Sequence, residues 1–226
     1  MTRFLRWGLV LVMAVVLTSC SPIYRWHQKL TLIVTTPAGE VSGSSVSEVA
    51  IQHPRPWENP LADVARKSDQ RGEAVMVEVA PGKYLFALLQ ESNQLLAFKT
   101  FFNVINPTEE QSRALTRKAW TATLPAELYP MLVTFGDVAR PESVMQVDPA
   151  NLAASFGPGY ALKAITLTIT DEPVTKGNVE KVLPWLWTHN GDLKPAELRL
   201  GPGLHDADKV LPEEQIQRID FIRRSK

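Results

Sequence analysis

Apolar and polar residues alternate along several short stretches of the chain, the period of two that predicts β-strands. In residues 29–36 (KLTLIVTT), Leu30, Leu32 and Val34 alternate with Thr31, Ile33 and Thr35, and β-branched residues are abundant. Pro37-Ala38-Gly39 signals a turn. Residues 41–52 (VSGSSVSEVAIQ) then read as the returning strand of a hairpin, with a bulge at Gly43 in its thin first half. Val75, Val77 and Val79 line one face of a strand over 74–79. Ala80-Pro81-Gly82-Lys83 places proline and glycine where a type II turn needs them. Residues 84–89 (YLFALL) return as a strand that is apolar on both faces, the mark of a central position. Residues 131–135 and 143–147 predict two short strands, separated by Gly136-Asp137 and Arg140-Pro141. The strongest strand pattern is 160–170, where Leu162, Ile165, Leu167 and Ile169 lie among threonines with one break in the alternation near Ala164.

Helical spacing is rarer. Residues 94–102 (QLLAFKTFF) are apolar at 95, 96, 98, 101 and 102, which suits a helix facing a core. Thr108 with Gln111 resembles a capping box ahead of a polar helix to 118. Asp148-Pro149 opens a helical turn over 150–156 that Gly157-Pro158-Gly159 stops. A helix over 178–188 starts at Asn178 or Lys176-Gly177, and Pro184 should kink or end it. Three prolines exclude regular structure from 53–60, and the polar residues 63–71 fit a short helix or a loop. Ile216, Ile219 and Ile222 fit either a terminal helix begun by Pro212 or a strand. Strands outnumber helices and no regular strand–helix–strand alternation is present. The expected fold is a single α+β domain over 29–226, built on a mostly antiparallel sheet of hairpins with a few short helices.

One stretch follows neither period. Residues 8–17 (GLVLVMAVVL) are ten uncharged apolar or small residues behind Arg3 and Arg6, the layout of an export signal. At ~1.5 Å per residue such a helix reaches only about half of a ~30 Å hydrocarbon core, so a permanent transmembrane helix is the weaker reading. Leu17-Thr18-Ser19-Cys20 resembles a bacterial lipobox. The resemblance implies that residues 1–19 are a signal peptide that is removed. It further implies that Cys20, the single cysteine of 226 residues, becomes the first mature residue and carries acyl chains, palmitate among them. Residues 20–28 then form an anchor and tether. Its Tyr24 and Trp26 fit two places, the headgroup level of a membrane or the start of the first strand. In lipoproteins of this class an Asp after the acylated cysteine favours the inner membrane. Ser21 therefore implies transfer to the outer membrane, facing the periplasm. The stretches LTLIVTTPAGEVSGSSVSEV, LVTFGDVARPESVMQVDP and LPWL resemble uncharacterised proteobacterial lipoproteins. That resemblance brings no activity and no catalytic residue with it.

Removal of the signal leaves 207 residues, enough for a sizeable core. It takes Arg3 and Arg6 away, leaving 22 basic and 24 acidic residues and a formal charge of −2. Such a balance offers no basic surplus for nucleic acid or for an anionic membrane. With Cys20 acylated no thiol is left, which excludes disulfides, thiol catalysis and zinc–thiolate sites. Seventeen prolines agree with many turns and short elements.

Motifs with known chemistry are missing: no Gly-x-Ser-x-Gly, Ser-x-x-Lys, phosphate loop, dinucleotide fingerprint or His-Glu-x-x-His occurs. Three looser constellations stand out. Gly43-Ser44-Ser45 is a nucleophile turn only if the fold brings His27, His53, His189 or His205 to Ser44. His205, Asp206 and Asp208 face one hard cation only if their loop curls, and no EF-hand pattern surrounds them. Trp185 and Trp187, with His189 and Asn190, have the chemistry of an aromatic sugar platform, although residues two apart on a helix point in different directions. The expected function is a non-catalytic envelope lipoprotein without cofactor, a binding or scaffolding module. Its partners would be the membrane through the anchor and an envelope protein or glycan. A subunit of an envelope assembly would show an exposed apolar patch. The alternative is a periplasmic hydrolase or cell-wall-active enzyme whose site no motif reveals.

Overall fold

The first hairpin runs further toward the amino terminus than its alternation announces. A computed structural model describes residues 21–53, 67–117, 119–188, 199–200 and 216–224. In it β1 (Ile23–Thr36) and β2 (Gly39–Gln52) pair without a break from Ile23↔Gln52 to Thr36↔Gly39. The tether expected over 20–28 is thereby shortened, since its last six residues are strand. Tyr24, Trp26 and Gln28 continue the inward-facing set. Trp26 is 4% exposed and packs edge-on against Phe98 with ring centroids 5.3 Å apart, so it sits in the core and not at a headgroup. A polar residue at an inward position, Gln28, disguises this half of the strand in the sequence.

The bulge expected at Gly43 is absent, because Gly43 pairs in register with Leu32. The glycine answers a different need. A Cβ there would overlap the carbonyl oxygen of Met76 and lie 2.9 Å from a Val77 methyl, so β2 passes the strand opposite too closely for any side chain. The irregularity falls between β1 and β9 (Ala161–Thr170). Ile33 faces Ala164 while Val34 faces Leu162, which leaves Lys163 as the extra residue at the break in the sequence alternation.

Residues 67–71, expected in a short helix or loop, are strand β3 (Lys67–Glu73). Backbone pairing to β2 holds them, with the buried Gln70 on the inward face where an apolar residue would have announced a strand. The turn Ala80–Lys83 joins β4 (Val75–Ala80) to β5 (Lys83–Ala87), with Gly82 at φ +70°. The other strands are β6 (Thr121–Thr123), β7 (Leu132–Phe135), β8 (Val144–Val147), β10 (Arg199–Leu200) and β11 (Ile222–Arg223). They form two sheets, ordered β11-β3-β2-β1-β9-β6 and β10-β8-β7-β5-β4. All pairing is antiparallel except the short β10–β8 contact.

The sheets pack face to face on a core containing Leu32, Val34, Val49, Val77, Leu85, Ile165 and Leu167. A second core lies on the far face of the smaller sheet, where Phe86, Leu88, Val133 and Phe135 meet Val179, Leu186 and Phe221. Leu85 and Ala87 belong to the first core, Phe86 and Leu88 to the second. That division is why YLFALL is apolar on both faces. Helix α1 (Leu96–Phe102) closes on Asn103 in the left-handed region, and α2 (Glu109–Leu115) begins with the reciprocal Thr108–Gln111 capping box. Helix α3 (Leu152–Phe156) stops at Gly157 with φ +107°. Helix α4 (Asn178–Val182) ends before Pro184, which starts a 3₁₀ turn, Pro184–Trp187. The terminal segment resolves its two readings in sequence, α5 (Arg218–Phe221) and then β11. The result is one α+β domain. Among the described residues no helix is long and apolar enough to cross a membrane.

Candidate functional site

Two depressions adjoin each other where the carboxyl-terminal segment meets the six-stranded sheet. Register builds the first. On the sheet's outer face Ile23, Gln52 and Lys67 form one cross-strand row, and Arg25, Ala50 and Asp69 the next. His27, Glu48 and Arg71 form the third. Glu48 lies 3.8 Å from His27 and 3.6 Å from Arg71, as opposed residues of one face should. Strand β11 adds to the edge of β3 and brings α5 and the turn bearing Trp187 alongside.

The groove so formed has a volume of about 980 Å³. Arg25, Lys67, Arg71, Arg218, Arg223 and Arg224 line it, against one lining carboxylate, Asp69. Trp187, 38% exposed, has the guanidinium groups of Arg218 and Arg224 over its ring, 4.9 and 4.1 Å from the centroid. Ile23 and Ile219 at the rim are nearly half exposed, at 47% and 46%. Among the described residues, Arg25, Lys67 and Arg218 have no carboxylate within ion-pair distance, whereas Arg71, Arg223 and Arg224 pair with Asp69, Asp220 and Glu180.

The second depression is a cleft of about 420 Å³ with Glu73 at its floor. The Glu73 carboxylate accepts the backbone N–H groups of Asn178 at 3.1 Å and Val179 at 3.5 Å, fastening the start of α4 to β3. Burial pushes its pKa above the ordinary value near 4.5, although the N–H groups around Asn178 pull the other way, and Glu180 adds a smaller upward push. The sign follows from linkage. The folded state holds this proton more tightly than the unfolded chain, so the contribution is complete below about 4.5 and is lost as pH rises through the raised value. Melting temperatures of wild type and Glu73→Gln, followed from pH 4 to 8, should therefore differ most in favour of wild type at the acid end. Two parallel profiles would mean that the carboxyl does not titrate abnormally.

Among the described residues, Ser44 and His27 stand apart. Ser44 is exposed on β2 opposite Thr31, four strand positions from His27, a distance of about 13 Å. The His27 Nδ1 meets the Glu172 carbonyl oxygen at 2.7 Å. One serine–histidine contact does exist, His53 Nε2 to Ser112 Oγ at 2.7 Å. Ser112 is fully buried, its hydroxyl also 3.2 Å from the Thr108 carbonyl oxygen, so its oxygen is closed to a substrate and the contact is structural. Trp185 and Trp187 share no platform. The Trp185 indole N–H donates to the Val138 carbonyl at 2.6 Å and its ring packs on Phe135, leaving Trp187 alone in the groove. His189, His205, Asp206, Asp208 and Cys20 lie outside the described residues. Among the described residues no group of three or more His, Cys, Asp and Glu is placed to hold a metal ion.

The basic groove is hidden from the sequence because net charge is a sum over the chain and says nothing of where the charges meet. The local signal for it is RIDFIRR at 218–224, three arginines in seven residues. Comparison of the chain with protein-family models, with curated proteins and with solved structures gives no match.

Proposed function

We propose that the protein is a membrane-anchored envelope lipoprotein, a non-catalytic binding or scaffolding module held at the periplasmic face of the outer membrane. The observation that carries the reading is the start of β1 at Ile23, three residues after the lipobox cysteine. At ~3.3 Å per residue the link spans at most about 10 Å, not the roughly 26 Å of an eight-residue tether. The domain then sits against the bilayer, with its basic groove on the same end as its anchor. Among the described residues, the separation of Ser44 from His27 favours binding over catalysis. A hydrolase has the raised Glu73 on its side, but backbone N–H groups already engage that carboxylate, and among the described residues no histidine or serine lines its cleft.

Ser21 is the residue that assigns the membrane, by permitting onward transfer where Asp would retain. Wild type should sediment with the outer membrane on a sucrose gradient, and Ser21→Asp with the inner. Sedimentation of both with the inner membrane would remove the outer-membrane assignment and leave the anchor itself standing.

A further inference from the structure

We infer that the groove lined by Arg25, Lys67, Arg71, Arg218, Arg223 and Arg224 is a docking surface for the anionic headgroups of the bilayer that holds the anchor. This rests on the anchored reading for its geometry and on the groove itself for its chemistry. The formal charge of the mature chain, −2, hides a local excess: six basic groups line one wall, and among the described residues Arg25, Lys67 and Arg218 have no carboxylate within ion-pair distance. Phosphate-bearing lipids supply the complementary charge.

The apolar groups point to a membrane and not to a dissolved anion. Ile23, Ile219 and Trp187 are three of the four large hydrophobic side chains exposed among the described residues, and all three line this groove. A site for a small free anion has no use for them. An interface does, because aliphatic side chains enter the acyl boundary while the indole and guanidinium groups stay at headgroup depth. The guanidinium groups of Arg218 and Arg224 both lie over the Trp187 ring, which holds the two cations beside it, so charge and apolar surface are presented together. Ile23 also fixes the position. It stands at the rim and begins β1, so an acylated Cys20 lies within about 10 Å of the groove mouth. Acyl chains and groove then address the same few lipids, and each makes the other's binding nearly intramolecular. The domain would lie with the outer face of the β1–β2–β3 end against the headgroups, restricting it to one orientation.

The test needs no anchor. Every described element and both cores lie within residues 22–224, so a chain of residues 21–226 retains the whole described fold. This soluble protein is mixed with vesicles of phosphatidylcholine alone, or of phosphatidylcholine with one third phosphatidylglycerol, and sedimented at 0.05 and 0.5 M salt. It should bind the anionic vesicles, bind the neutral ones far less, and release at high salt. Each arginine removed from the surface should weaken binding about fivefold, so Arg218→Ala with Arg224→Ala costs roughly 25-fold. Arg25→Glu with Lys67→Glu, on exposed strand positions without ion pairs among the described residues, should cost more and leave the melting temperature in place. Equal binding to neutral vesicles, or no loss in either double variant, overturns the assignment. So does equal retention by polyglutamate, which would make the groove a general polyanion site. Failure here leaves Cys20 acylation untouched, and an unacylated Cys20 leaves this result untouched.

Discussion

Leu167→Asp should unfold the domain. Leu167 is fully buried in β9, paired to Leu30 on β1 and to Ala122 on β6, with its side chain in the core between the two sheets. Replacing it removes a well-packed leucine, a change that costs about 2–5 kcal/mol even when the replacement is alanine. It then places a carboxylate where the surrounding core side chains are apolar. The sum rivals the ~5–15 kcal/mol by which an ordinary domain is stable. A thermal melt of residues 21–226 carrying Leu167→Asp should show no cooperative transition. Melting within a degree or two of wild type would mean that β9 is not where the structure places it.

How much of this fold is legible in the sequence varies with what each strand buries. Strand β9 and the second half of β1 are legible because their inward positions are Leu, Ile and Val. The first half of β1 is not, since Gln28 takes an inward place and donates from its side chain to the Asn93 carbonyl. Strand β3 is hidden for the same reason, its inward Gln70 bonding to Ser47. Polar residues that find partners inside a sandwich are invisible to any hydrophobic pattern. Gly43 stands out in the sequence, but a glycine tells only that a side chain is excluded. Whether a bulge or a neighbouring strand excludes it is a tertiary fact. The local signals read most directly were caps and stops, since Thr108–Gln111, Gly82, Gly157 and Pro184 act through backbone geometry within a few residues.

The candidate site was less legible than the fold. Trp185 and Trp187 are two apart, and the divergence expected of that spacing is seen, one indole in the second core and the other in a groove. The groove's cations come from β1, β3 and the terminal segment, positions 25 to 224, and only strand register brings them to one face. Net charge is a sum over the chain, and it cannot report such segregation. The cleft behind Glu73 is likewise tertiary, because the N–H groups that hold the carboxylate belong to residues more than a hundred positions away.

Cys20→Ala should abolish stable membrane attachment. A single acyl chain gives only marginal binding, at ~0.8 kcal/mol per buried CH₂, whereas two give stable anchoring. The cysteine sulfur is the attachment point in the lipobox class that 17–20 resembles, and the chain has no second thiol to replace it. The variant should keep its signal peptide, because the lipoprotein peptidase acts after acylation, and should wash off membranes in high salt or carbonate where wild type stays. Headgroup contacts through the arginines would hold it loosely at low salt, which separates the two contributions. The intact mass of the wild-type protein extracted from membranes is the most direct measurement. The protein should begin at Cys20 and be heavier than its sequence by the mass of the attached acyl chains. A chain of unmodified mass, or one cut elsewhere, would contradict it.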